Sequence, residues 1–174
     1  IPESVTSIGS YAFSGCTSLE SIKIPESVTS IGSYALSGCT SLESIEIPES
    51  VTSIGDSAFY NTAWLKNKQN ESPFVIVNGI LIDGRTCSGE VMIPEGVTSI
   101  GDNAFYNCTG LTSINIPKGV TNIERCAFYN CTGLTSIHIP EGVTSIGESA
   151  FYNCTGLTSI NIPKGVTNIE RCAF

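Results

Sequence analysis

Apolar and polar positions follow one another along the chain in an order that returns every 23 residues. In the unit from Leu111 to Leu134 the recurring apolar positions are Leu111, Ile114, Ile116, Val120, Ile123, Ala127, Phe128, Cys131 and Leu134. Ile114 and Ile116 stand two apart with polar Ser113 and Asn115 between and beside them, the spacing of a strand with one buried face. Ala127, Phe128, Cys131 and Leu134 stand at i, i+1, i+4 and i+7, which predicts one face of a short helix. Each unit therefore reads as a strand, a Pro-Gly turn, a short extended Val-x-x-Ile piece, and a helical turn or two.

The prolines of the Ile-Pro pair fall at Pro2, Pro25, Pro48, Pro94, Pro117, Pro140 and Pro163, with gaps of 23, 23, 46, 23, 23 and 23. A fixed period of this length is the mark of a solenoid. Parallel strands are expected near residues 20–24, 43–47, 89–93, 112–116, 135–139 and 158–162. Burying one large apolar side chain yields about 1.5–3 kcal/mol, while ordering a residue costs roughly 1.5 kcal/mol. Five or six such side chains cannot hold a lone unit, so stacked neighbours must cover both of its open faces.

Residues 66–88, KNKQNESPFVIVNGILIDGRTCS, interrupt the pattern but occupy one period, so that Val91 and Ile93 resume the strand in step. Phe74–Val77 and Ile80–Asp83 around Asn78-Gly79 predict a hairpin with positive φ at both turn residues. It serves either as a cover for the solenoid or as a protrusion that touches a ligand. Beyond it the units pair up: residues 93–128 and 139–174 differ only at Asp102/Glu148 and Asn103/Ser149. Glu95, Lys118, Glu141 and Lys164 are spaced one period apart, as are Asp102, Arg125, Glu148 and Arg171. With coils about 4.8 Å apart, both columns alternate in sign and predict weak ion pairs. Glu3, Glu26 and Glu49 stack like on like instead.

The pattern IPEGVTSIGDNAFYNCTGLTSI resembles the BspA-like class of leucine-rich repeats. Ile-Pro, Val-x-x-Ile, Ala-Phe, Cys and Leu-x-x-Ile all stand at that family's spacing, over everything except about residues 66–88. The resemblance implies an α/β repeat fold, a right-handed, curved leucine-rich-repeat solenoid with parallel strands. It also implies secretion or display on a bacterial surface and a protein-binding or adhesive role, and it brings no catalytic residues. The expected organisation is one solenoid over 1–174, with regular repeats at 1–65 and 89–174 and the hairpin-bearing insertion between. Its ends fall inside repeats, so it is expected to be a segment of a longer protein.

Composition narrows the function further. Net charge is −8, with eight Lys and Arg scattered singly, whereas nucleic acid and anionic membrane surfaces call for clustered basic residues. Cys16, Cys39, Cys108, Cys131 and Cys154 hold the inward position and are expected to be small buried free thiols. Cys126 and Cys172 stand outward, two coils and so roughly 10 Å apart, too far to bridge. The lone His138 and the absence of CxxC assemble no zinc set, and no cofactor motif is present. Asn70, Asn107, Asn130 and Asn153 match the glycosylation acceptor pattern, the last three through repetition of one unit. The outward strand residues are the face a solenoid presents. The candidate protein-binding residues on it are Lys23, Glu46, Glu90, Met92, Asn115 and His138, with Asn78 and Gly79 at the hairpin tip as a second contact. The expected partners are proteins, such as host matrix or cell-surface proteins, and the alternative is a structural stalk without a ligand of its own.

Overall fold

Along the turn segment of a coil, backbone N–H groups bond alternately within the coil and to the next one. Between Gly101 and Leu111 the N–H groups of Ala104, Tyr106, Cys108 and Leu111 bond to Gly101, Asn103, Phe105 and Cys108 carbonyls at 3.1–3.2 Å. Those of Asn103, Phe105 and Asn107 bond instead to Arg125, Ala127 and Tyr129 carbonyls one coil on, at 3.0, 2.7 and 2.9 Å. This corrects the expected helical turns. The segment is a run of tight turns, because Asn103 and Asn107 hold φ of 56° and 62° and an α-helix cannot pass through such residues. Consecutive turns reproduce the apolar spacing of a helix while leaving alternate N–H groups free to stitch coils together.

The computed structural model describes residues 1–174, which form two compact units, Ile1–Asn78 and Gly79–Phe174. Each is a stretch of β-solenoid. In unit 1, β1 (Ser7–Ile8), β3 (Ser30–Ile31) and β5 (Ser53–Ile54) form one parallel sheet, and β2 (Ser21–Lys23) pairs in parallel with β4 (Ser44–Glu46). A helix, α1 (Ala63–Glu71), and a strand, β6 (Val75–Val77), complete it. In unit 2, β7 (Ile80–Asp83), β9 (Ser99–Ile100), β11 (Asn122–Ile123), β13 (Ser145–Ile146) and β14 (Asn168–Ile169) lie side by side. The second sheet of unit 2 has the order β12 (Ser136–His138), β10 (Leu111–Asn115), β8 (Gly89–Met92). The Val-x-x-Ile pieces are thus sheets in their own right, in a register of 23 residues: Ile8 lies beside Ile31 and Ile123 beside Ile146.

Five of the six expected strands form, and the sixth, at 158–162, does not. The same coil carries β14 at its Val-x-x-Ile piece, paired with β13. Cys16 is also corrected: it is exposed, whereas Cys39, Cys108, Cys131 and Cys154 are buried. Its neighbours Ser14, Gly15 and Thr17 are exposed with it, so this coil leaves the inward position uncovered.

The insertion divides where the turn was expected. Asn78 and Gly79 have φ of 48° and 78°, and β6 and β7 flank them. The helix α1 was not expected. Thr62 stands where other units carry Cys, and its hydroxyl accepts from the Leu65 N–H at 3.1 Å, an N-cap that starts the helix. Trp64 and Leu65 are buried, and Trp64 packs against Phe59 with ring centres 4.9 Å apart.

Candidate functional site

The outward strand residues line up across coils because the pairing register keeps equivalent positions side by side. In unit 2, Met92, Asn115 and His138 form one row and Glu90, Ser113 and Ser136 the next. In unit 1, Lys23 lies beside Glu46 and Ser21 beside Ser44. Ile93, Ile116 and Ile139 are buried directly after the row residues, so each strand is anchored by the isoleucine that follows it. Met92 is 74% exposed, an unusual place for a thioether that adapts readily to partner surfaces. Beside Lys23 and Glu46 an open cleft of about 430 Å³ is lined also by Glu3 and Glu26. No Arg or aromatic side chain stands on either strand face.

The hairpin tip is held down. The Asn78 side-chain amide donates to the Pro48 and Val51 carbonyls at 2.7 and 2.9 Å, closing the turn region of unit 1. The Gly79 carbonyl accepts the Thr98 N–H at 2.8 Å.

Several columns of unit 2 had no reading as a ladder. Phe105, Phe128, Phe151 and Phe174 stack with ring centres 5.1, 5.2 and 5.4 Å apart. Tyr106, Tyr129 and Tyr152 stack beside solvent at 5.0 and 5.2 Å. The acceptor asparagines form an amide ladder: Asn130 donates to Asn107 at 2.7 Å and Asn153 to Asn130 at 2.6 Å. The signal was available, since identical residues one period apart must stack once coils do. The thiols of Cys131 and Cys154 donate to the carbonyls of Phe105 and Phe128 at 3.2 and 3.1 Å. Contacts with the Cys108 and Cys154 thiols, together with burial, push the Cys131 thiol up. Burial pushes the Cys87 thiol up to about 11. All eight cysteines are unbridged. Of the two alternating charge columns, one closes an ion pair: the Arg171 guanidinium donates to Glu148, with Nε at 2.9 Å.

These stacked coils match the family described as BspA type leucine rich repeat region, in six copies over residues 1–77 and 85–174. The chain belongs to that family. Among solved structures it is similar to a leucine rich cell surface protein of Faecalibacterium prausnitzii, with 33% identity and a TM-score of 0.59 over 100% of this chain and 49% of that one. It is similar in fold to the pneumococcal vaccine antigen PcpA, at 21% identity and a TM-score of 0.55 over 95% of this chain and 50% of that one. A T. pallidum leucine rich repeat protein is similar at 27% identity and a TM-score of 0.47, over 97% of this chain and 71% of that one. The chain thus spans about half the length of the F. prausnitzii and pneumococcal structures. No curated protein matches. No helix is long and apolar enough to cross a membrane.

Proposed function

We propose that the chain is a non-catalytic, protein-binding segment of a bacterial cell-surface protein. The observation that carries this reading is the aligned Met92–Asn115–His138 row beside Glu90, Ser113 and Ser136. It is a mostly solvent-facing array whose positions the strand pairing sets one coil spacing apart. The Lys23–Glu46 pair offers a second array of the same kind, and the Asn78-Gly79 turn an accessory contact. The family and the cell-surface description of the F. prausnitzii protein support the location. The mechanism is many weak polar contacts, with avidity from copies displayed together.

The test displays the 174-residue chain on beads and offers it matrix proteins and host cells. Beads carrying Lys23→Ala, Glu46→Ala, Met92→Ala and His138→Ala together serve as the comparison. Wild-type binding that falls in the variant supports the reading, and equal binding assigns the contact elsewhere. The lack of Arg and aromatic side chains on the strand faces favours one second reading, a stalk, since such residues dominate binding hot spots. The stalk reading stands if wild-type beads bind nothing above background.

A further inference from the structure

The Pro-turn edge of unit 2 carries a charge pattern with a consequence for partner choice. Glu95, Lys118, Glu141 and Lys164 each follow the proline of a tight turn. In three of these turns the Val120, Val143 and Val166 N–H groups close on the proline carbonyls at 3.1, 3.0 and 3.2 Å. All four charged residues are exposed, and none forms an ion pair within the chain. Successive turns nearly touch: a Cβ on Gly142 would lie 2.9 Å from the Lys118 carbonyl oxygen, and one on Gly165 the same distance from that of Glu141. At these two positions a side chain would force the turns apart, so the turns stack closely and the edge is a ridge bearing one charge per coil in the order minus, plus, minus, plus.

An alternating row of four is complementary to itself when turned end for end. A two-fold axis across the ridge sets the first position of one copy against the fourth of the other. Glu95 then faces the other copy's Lys164, and Lys118 faces its Glu141, so all four contacts join opposite signs. Both copies share one coil spacing, so the contacts fall into register together, whereas a partner of another period drifts out of step. No ion pair within the chain holds these charges, which leaves their outer sides to an outside surface.

We propose that the Glu95–Lys118–Glu141–Lys164 ridge docks antiparallel on the same ridge of a second copy of this chain. Rim charges of this kind select a partner and its orientation more than they hold it, so the contact is weak alone and grows where copies are crowded. It uses other residues than the strand-face row and is tested separately from it.

The test follows the mass of the full 174-residue chain by sedimentation, and the clustering of densely coated beads. At about 0.1 M salt, with a Debye length of about 10 Å, whole-chain repulsion is damped and contacts survive. At about 1 M both are screened. The expected result is concentration-dependent dimer and clustered beads at the lower salt, and monomer at the higher. Two variants keep the net charge of −8: Glu141→Lys with Lys164→Glu, and Glu95→Lys with Lys118→Glu. Each makes every antiparallel contact like on like, so each alone is expected to stay monomeric. An equal mixture of the two restores opposite signs at all four contacts and is expected to restore the dimer, which excludes misfolding as the cause. Wild-type chain that stays monomeric with dispersed beads, association indifferent to salt, or a mixture that stays monomeric would each overturn the proposal.

Discussion

The two units run on the same 23-residue period yet fill equivalent positions differently. At the turn position before the Cys column, unit 1 places Gly15, Gly38 and Asn61 with φ of 75°, 76° and 57°, and unit 2 places Asn107, Asn130 and Asn153 with φ of 62°, 58° and 58°. Glycine adopts this conformation at no steric cost. Asparagine bears a small cost and, in unit 2, returns a side chain that bonds its neighbours. After the ridge residue, unit 1 has Ser27 and Ser50, whose hydroxyls donate to the Val5 and Val28 carbonyls at 2.7 and 2.8 Å. Unit 2 has glycine there and alternating ridge charges, where unit 1 has three glutamates. A shared backbone period therefore fixes which positions stack, and the residue chosen at each decides whether the column bonds, packs or repels.

The packing column gives the largest expected effect. Phe128 is fully buried between Phe105 and Phe151, while its counterpart in unit 1, Leu36, is buried between Phe13 and Phe59 without ring stacking. Phe128→Ala is expected to cost about 3–5 kcal/mol, and Leu36→Ala about 2–5 kcal/mol, measured by urea unfolding. The comparison breaks if Leu36→Ala proves clearly the more damaging of the two. Trp64, the only tryptophan, lies in unit 1, so its fluorescence reports that unit beside the circular dichroism of both.

Alkaline pH separates the units next. Cys87 in unit 2 is 7% exposed, and burial raises its thiol to about 11 from 9.0. In the unfolded chain that thiol ionises near its ordinary value, so the folded state holds the proton more tightly. Stability is then full below about pH 9 and falls as pH rises toward 11, by up to about 2–3 kcal/mol for such a shift. In unit 1 burial also raises Cys39. Cys87→Ala is expected to flatten the alkaline decline in melting temperature more than Cys39→Ala does. Equal slopes in the two variants would assign the decline to other groups.

The asparagine ladder can be dissected by paired substitutions. Asn130→Ala loses both the amide and the tolerance for positive φ, and is expected to cost about 1–2 kcal/mol. Asn130→Gly keeps the backbone conformation and removes only the ladder, so its cost should be smaller. Gly15→Asn with Gly38→Asn would carry the ladder into unit 1, where a Cβ on Gly38 meets nothing closer than 3.6 Å. A gain of a few tenths of a kcal/mol is expected from the added amide bonds. If that variant is destabilised instead, the ladder depends on features of unit 2 beyond the asparagines.

Most of this fold was legible from periodicity, because stacking converts a repeat in sequence into a column in space. The strands around Ile22, Ile45, Ile114 and Ile137 and the Asn78-Gly79 turn followed from spacing and turn chemistry alone. The short helix was hidden because its cap, Thr62, reads as a failed cysteine, and only the side-chain bond to Leu65 shows its purpose. The turns around Phe105 and Phe128 were misread because helix spacing does not reveal that alternate N–H groups bond to the next coil. The candidate strand face was legible as positions, since period two puts Met92, Asn115 and His138 outward. What they bind is less legible, since polar side chains at one spacing fit many partners.

The ridge charges give the smallest effect and the sharpest contrast. Glu26→Lys turns the like-charged row of unit 1 into minus, plus, minus, and at this exposed site should stabilise by about 0.2–1 kcal/mol, fading as salt rises. Lys118→Glu does the reverse in unit 2: it leaves three adjacent glutamates and should lower the melting temperature slightly at low salt. A double difference of opposite sign, present at low salt and absent at high, would show that column charge alone separates the two ridges at this position. Glu26→Lys carries a second check through symmetry. A row of three turned end for end sets Glu3 against Glu49 and the middle residue against itself, so every contact stays like on like whether residue 26 is Glu or Lys. The variant should therefore gain stability without gaining any association through unit 1. Should new dimer form through that unit, the self-complementarity argued from an even, alternating row would lose its basis.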